Sequence, residues 1–489
     1  MKLARYFGAR GPTLTIDSIS KEVLNAQYSI RGMIWKEQEK LEKELKAKKN
    51  LPFDEFCYLH AGNPQLYGMK PVTFHRQVLS ICLYPELLDS STFSDDVKRR
   101  ANEYIDNFIS VGCYTDSKGN SMVPKNIARY ISRRDNVYSD PENIFVYNGV
   151  SEALSSIMQT INQPHANSGF MVPMPQYPLY SARIQLNDAH FVGYILDEEN
   201  EWEIDEFQLN KSYEEAVAKG IDVRAMIVIN PGNPTGQVFS RRSLEAIFRF
   251  AFERGIVVLA DETYQEVVYS ELKPFLSCRK VLSELPPEIS NSVELVSFHS
   301  CSKGRLGESG LRSGYAELHN IDPGVQAILY KLKTIYLSSN SVGQIIMDLK
   351  VRPPTLETCS QEIVTEYQRE IQIHSGELKT KAIILEHELR SMRGVTVNPI
   401  QGGYYAFPRL HLPQKFIDEA NSKGMPADDY YCLKALQETG VVLSPGTGFT
   451  QKPGTYHFRS TILEQPISFF NRKLEQLLNF NDKIQKKYR

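Results

Sequence analysis

Leu295-Val-Ser-Phe-His-Ser300-Cys-Ser-Lys303-Gly-Arg-Leu-Gly-Glu-Ser-Gly-Leu-Arg312-Ser-Gly-Tyr315 places one lysine among small and hydroxyl residues directly after an apolar run, with an arginine nine positions on. The run 293–298 predicts a buried strand, and the Ser/Gly segment behind it lets backbone approach a ligand without obstruction by side chains. A lysine so placed can form an imine once desolvation or neighbouring cations remove its proton. Arg312 can do two things there: depress that pKa and fork onto a phosphate. Taken alone, the same residues also describe a surface loop with a solvated lysine, so the rest of the chain has to decide.

Outward from this stretch the pattern repeats. Four more short apolar runs, 143–147, 169–172, 225–229 and 256–260, alternate with helical segments between about 100 and 345. That alternation predicts an α/β fold with a mainly parallel sheet flanked by helices. Ligands of such sheets sit beyond the carboxyl ends of the strands, so the residues that follow each run carry the interest.

Run 143–147 leads into Asn148-Gly149-Val150-Ser151, a tight turn into a helix whose first amides and Ser151 hydroxyl offer an anion site, or simply a helix cap. Run 225–229 leads into Asn230-Pro-Gly-Asn233-Pro-Thr-Gly236, a rigid turn that aims Asn233 as a donor. Run 256–260 leads into Asp261-Glu-Thr-Tyr264. A carboxylate directly behind apolar residues is costly without a cation, and a protonated ring nitrogen is one such partner.

Together, Asn-Pro-x-Asn-Pro-Thr-Gly, Ala-Asp-Glu-x-Tyr and Ser-x-Ser-Lys resemble the fold-type I aminotransferases, which use pyridoxal 5′-phosphate. Along nearly its full length the chain is similar to the alanine aminotransferases. The supporting segments are Leu14-Thr-Ile-Asp-Ser, Gly62-Asn-Pro-Gln, Pro175-Gln-Tyr-Pro-Leu-Tyr-Ser-Ala and Gly454-Thr-Tyr-His-Phe-Arg459. The resemblance implies that Lys303 is the Schiff-base lysine and proton carrier at the substrate Cα. Asp261 would keep the pyridine nitrogen protonated, preserving an electron sink. Asn233 and Tyr264 would bond the ring oxygen, and Tyr177 would stack on the ring.

By the same resemblance the phosphate falls to Val150, Ser151, Ser300, Ser302 and Arg312. Arg459 would clamp the substrate carboxylate through its fork, with Gly62 and Asn233 beside it. Tyr114 would reach the partner subunit's phosphate, implying a homodimer with shared active sites. The expected reaction carries the amino group of L-alanine to 2-oxoglutarate, giving pyruvate and L-glutamate in ping-pong order. The expected domains are 1–98, an N-terminal arm with part of the small domain; 99–345, the large cofactor-binding α/β domain; and 346–489, a small C-terminal α+β domain.

Departures from the family pattern leave the donor and acceptor open. Arg305 stands where an aromatic residue is common, Leu337-Ser-Ser-Asn-Ser replaces a proline-containing segment, and Tyr404 takes a position usual for methionine. A glyoxylate-using or other small-amino-acid aminotransferase, a pyridoxal phosphate lyase of the same fold and a non-catalytic scaffold are the alternative readings.

Composition narrows the rest. A chain of 489 residues, 42% hydrophobic, can bury a large core, and a net charge of -2 gives no reason to expect nucleic acid or a membrane as partner. Seven scattered cysteines without C-x-x-C pairs suit a reducing compartment, and no metal site is expected from the histidine spacing. The cytoplasm is the expected location, although the basic, acid-free residues 1–10 would also suit a short organellar presequence. A charged helix near residue 40 should pair Glu39 with Lys43 and Glu42 with Lys46.

Overall fold

The computed structural model describes residues 14–26, 28 and 32–489, so the possible presequence lies outside the described residues. Its centre is an eight-stranded sheet. The strands are β1 (Ile144–Tyr147), β2 (Ser168–Met174), β3 (His190–Asp197), β4 (Glu203–Ile204), β5 (Asp222–Ile229), β6 (Val257–Asp261), β7 (Leu295–Ser300) and β8 (Gly314–His319). Their order across the sheet is β1-β8-β7-β6-β5-β2-β3-β4. All neighbours from β3 to β7 run parallel, whereas β8 runs antiparallel to both β7 and β1, and β4 antiparallel to β3.

The five apolar runs became β1, β2, β5, β6 and β7, because both faces of these strands are covered and alternation has no value there. Strands β3, β4 and β8 were not anticipated. In β3 every second residue is buried, so half of its positions are free to be polar. In β8 the apolar run is broken by Glu317, which is buried but accepts a hydrogen bond from the Ser139 hydroxyl.

Helix Arg241–Arg254 shows how the sequence dresses the sheet. Ser240 caps it by accepting from the Ser243 amide at 3.2 Å, and Gly255, at φ +63°, ends it in the left-handed region. Leu244, Ile247, Phe248 and Ala251 fall on one face and join the core beside Val228, Val258 and Ala260. Each large apolar side chain buried this way contributes about 1.5–3 kcal/mol. Helix Ser341–Val351 runs across residue 345 and packs Ile345, Met347 and Leu349 against Val123, Ile127 and Val146.

A second core gathers around the helix Gln361–Ser391, whose Leu378, Ala382, Leu385 and Leu389 meet Leu474 and Leu477 of the helix Ile467–Lys487. Short strands thread it: Tyr405–Ala406 and Ser444–Pro445 flank Phe458–Thr461, and Cys57–Tyr58 pairs in parallel with Val441–Val442. Helix Met33–Lys46 docks on this part. The expected Glu39–Lys43 and Glu42–Lys46 pairs give way to a Lys40–Glu37 bridge at 3.2 Å and a Tyr58 hydroxyl donating to Glu42 at 3.0 Å. The reason is that one face of the helix, through Gln38 and Leu41, is buried rather than solvated.

Candidate active site

At the carboxyl edge of the sheet lies a cavity of about 400 Å³. It is lined by Lys303, Asp261, Tyr264, Asn233, Val150, Ser151, Tyr177, Ser300, Ser302, Arg312, Arg459 and Gly62, so twelve of the thirteen residues singled out from sequence meet in one place. Tyr114 is the exception: it is 78% exposed and stands outside this chain's cavity.

Strand geometry brings these residues together. Strands β5, β6 and β7 end side by side and release Asn233, Asp261 and Ser300 with Lys303 at the same edge. Because β8 is antiparallel, its first residue Gly314 pairs with Ser300 and with Tyr147, which delivers Arg312 to that edge as well. Gly149, at φ +95°, adopts a backbone conformation that strains any residue with a side chain, and a Cβ there would also push Arg312 Nη2, 2.5 Å away, out of place. The Arg312 guanidinium donates to Ser302 Oγ at 3.3 Å, to Ser309 O at 3.1 Å and to Asn148 O at 3.3 Å. The hydroxyls of Ser151, Ser300 and Ser302, the first amides of helix α1 (Val150–Ile161) and this guanidinium form a cradle of anion donors.

Lys303 donates to the carbonyl of Gly62. Burial lowers its pKa, with the charges of Arg459 and Arg312 acting the same way and Tyr405 and Asp261 opposing. Asp261 is held by neutral donors, the Tyr180 hydroxyl at 2.6 Å and the Thr263 amide at 3.2 Å, and among the described residues no cation pairs with it. The Tyr264 hydroxyl lies 2.9 Å from that of Tyr405. Burial works to raise the Tyr405 pKa, but the charges of Lys303 and Arg459 and the bond to Tyr264 bring it below the ordinary phenol value. Tyr177 shares a 2.9 Å hydroxyl contact with Tyr28.

Arg459 comes from strand Phe458–Thr461 and is 3% exposed, sandwiched with its guanidinium carbon 4.4 Å from the Tyr405 ring and 4.6 Å from the Phe449 ring. It donates to Asn233 Oδ1 at 3.1 Å and to the His60 carbonyl, while its Nε–H finds no partner among the described residues. A buried guanidinium with a spare donor, on a residue that lines a cavity, suits a carboxylate ligand. A Cβ at Gly62 would overlap the Tyr405 hydroxyl and sit 3.0 Å from the lysine amine, so only glycine leaves this wall open. His60, beside Arg459, has its pKa pushed down to about 4 by burial and by that charge.

Four contributors escaped the sequence reading: Tyr180, Thr263, Tyr405 and His60. Thr263 had a local signal, since a hydroxyl two residues after an aspartate commonly bonds it. Tyr180 stands in the segment quoted with Tyr177, and Tyr405 follows the departure at Tyr404, but nothing local assigns either a partner. Arg305 is exposed, and its carbonyl accepts from His374 Nδ1 at 2.9 Å.

The family profile described as aminotransferase class I and II matches residues 83–464. The chain is 41% identical over 98% of its length, and 90% of the relative's, to a protein named probable alanine aminotransferase, mitochondrial, of Dictyostelium discoideum. It is 40% identical to alanine aminotransferase 1 of Homo sapiens over 98% of this chain and 97% of that one. Among solved structures, alanine aminotransferase from Pyrococcus furiosus shares the fold with a TM-score of 0.75 at 22% identity, covering 95% of this chain and 100% of that one. An aminotransferase from Escherichia coli does so with a TM-score of 0.73 at 24% identity, covering 96% of this chain and 98% of that one.

Proposed function

The chain belongs to the class I and II aminotransferases, and from that premise we propose that it is a pyridoxal 5′-phosphate-dependent transaminase carrying the amino group of L-alanine to 2-oxoglutarate. The observation that carries this reading is the meeting of Lys303, Asp261 and Arg459 in one cavity, each from a different strand end and each suited to a different part of the reaction.

The residues fit the cofactor. Asp261 is a carboxylate with neutral partners only, which leaves its charge for a protonated ring nitrogen. The cradle of Val150, Ser151, Ser300, Ser302 and Arg312 supplies donors suited to a phosphate, with Gly149 holding the space in front of Arg312. Asn233 and Tyr264 offer hydrogen bonds to a ring oxygen, and Tyr177 offers its face. When bound, the cofactor supplies the aldehyde that captures the amine and the electron sink for charge left at Cα.

The chain's own groups do the rest. Arg459 grips the substrate carboxylate with Asn233 and the Gly62 backbone beside it, fixing the amino acid so that its Cα–H points toward Lys303. Lys303, lowered in pKa by burial, takes that proton as a neutral amine and later returns one on the cofactor side. Tyr405 stands within the field of both Lys303 and Arg459 and tunes the balance of charge between them. The products expected are pyruvate from L-alanine and, in the return half with 2-oxoglutarate, L-glutamate.

In this reading the cofactor-binding domain is residues 99–345, carried on to Val351 by the helix that packs on its core, and the rest of 346–489 with part of 1–98 makes the smaller one. Tyr114, exposed on a chain whose own cavity it does not enter, serves the partner subunit's phosphate in a homodimer. The cytoplasm is the compartment proposed, supported by seven unpaired thiols. Borohydride reduction of the cofactor-loaded protein and peptide mapping should find the pyridoxyl label on Lys303. A label elsewhere, or no amino transfer from L-alanine across a panel of keto acids, would sink the proposal.

A further inference from the structure

Arg305 is the residue of the lysine segment for which transamination has no use. It opens into a second cavity of about 630 Å³ that shares no lining residue with the active one. Helix Met122–Asp135, the end of helix Ser341–Val351 and the helix Gln361–Ser391 wall it in.

Five cations face this space, Arg133, Arg134, Arg305, Lys350 and Arg352, against the carboxylates of Glu266 and Glu357. Three of the cations are already satisfied. Arg134 pairs with Asp135 at 2.6 Å, Lys350 with Glu266 at 3.1 Å and Arg352 with Asp348 at 2.9 Å. Arg133 and Arg305 are exposed and have no ion-pair partner among the described residues. Arg305 is not adrift, because its carbonyl is tied to His374 of the long helix and the preceding carbonyl, Gly304 O, accepts from the Tyr404 hydroxyl at 2.5 Å. Its guanidinium therefore hangs from a fixed backbone at the mouth of the cavity.

We propose that this cavity is a second ligand site, taking a small multivalent oxyanion between Arg133 and Arg305. Guanidinium forks bind phosphoryl and carboxylate groups by paired N–H donors, and a recess lined by an excess of one charge raises the local concentration of the other. The volume suits a small metabolite. Tyr130 and Tyr367 line the same space. The site stands on its own geometry and would survive a change of amino-acid substrate in the active cavity.

Calorimetric titration of the cofactor-loaded protein with inorganic pyrophosphate, and separately with citrate, tests it at constant ionic strength. At least one of the two anions should bind saturably at about one per chain, and the tighter of the two identifies the group recognised. Arg133→Ala/Arg305→Ala should weaken that binding by roughly tenfold or more. Its melting temperature, cofactor absorbance and turnover without added anion should remain those of the parent. Equal affinity in the double variant, binding of neither anion, heat that chloride at matched ionic strength abolishes, or competition with L-alanine would each overturn the site.

Discussion

In the proposed reading the cavity has a cofactor wall and a substrate wall, and the two are assembled by different routes. On the first, Asn233, Asp261 and Lys303 each follow a strand of one sheet, so their relative positions are fixed by strand pairing. On the second, Gly62, Tyr405 and Arg459 come from distant segments joined by two- to four-residue strands of the small core. The first wall is rigid because its strands are buried on both faces. The second is held by the packing of the small core, and three bonds join it to the first: Arg459 to Asn233, Lys303 to the Gly62 carbonyl and Tyr264 to Tyr405. A site built this way would separate holding the cofactor from admitting the substrate.

The largest effect should come from the first wall. Lys303→Ala should cut turnover by about three to four orders of magnitude, because it removes the proton carrier and the anchoring amine together. Cofactor bound through Asp261 and the phosphate cradle should still be detected by absorbance after gel filtration. Complete loss of cofactor would show that the anchor, rather than the cradle, holds it.

Arg459→Ala should come next, lowering kcat/KM for L-alanine by roughly 100-fold, which is about 3 kcal/mol of lost charge-assisted bonding. If the walls act separately, the resting absorbance of the cofactor will not change. A shifted spectrum would show that the Arg459–Asn233 bond shapes the cofactor wall too.

Tyr180→Phe probes the support behind Asp261. Losing one hydrogen bond to a carboxylate should reduce kcat by about tenfold and leave KM for the amino acid nearly unaltered, as read from steady-state kinetics. An effect confined to KM would contradict the positioning role.

The smallest effect concerns stability rather than turnover. His60, on the substrate wall, has a folded pKa near 4, below the usual histidine value of about 6.5 in an unfolded chain. A depressed pKa means that the stability it contributes is present above about pH 6.5 and is lost as pH falls toward 4. His75, at about 3, and His299, at about 4, act in the same direction from the large core. His60→Gln should move the acid-unfolding midpoint down by about half a pH unit, measured by circular dichroism. An unchanged midpoint would assign acid lability to the large core alone.

The two walls were also unequally legible. Lys303, Asp261 and Asn233 could be read because each sits right after an apolar run, and an apolar run that ends in a polar residue marks a strand end. Arg459 and Gly62 have no such local mark and entered through resemblance to a family. Tyr180, Tyr405 and His60 stayed hidden, because a buried tyrosine in the core and one bonded to a catalytic carboxylate look alike in sequence. Strand β8 was missed for a related reason: Glu317 interrupts its apolar pattern, and its bond to Ser139 with the Arg279 guanidinium 4.0 Å away explains how it can be buried.

By itself the sequence determined the α/β class, the five strands buried on both faces and the residues released at their ends. Those depend on local hydrophobicity and turn chemistry, which act over a few residues. The tertiary structure decided that β8 runs backwards and carries Arg312 to the cradle of anion donors. It also decided that Tyr180 holds Asp261 and that Arg305 faces a second, basic cavity rather than the active one. These are contacts between residues tens to hundreds of positions apart, and such pairings exist only once the sheet and the two cores have packed.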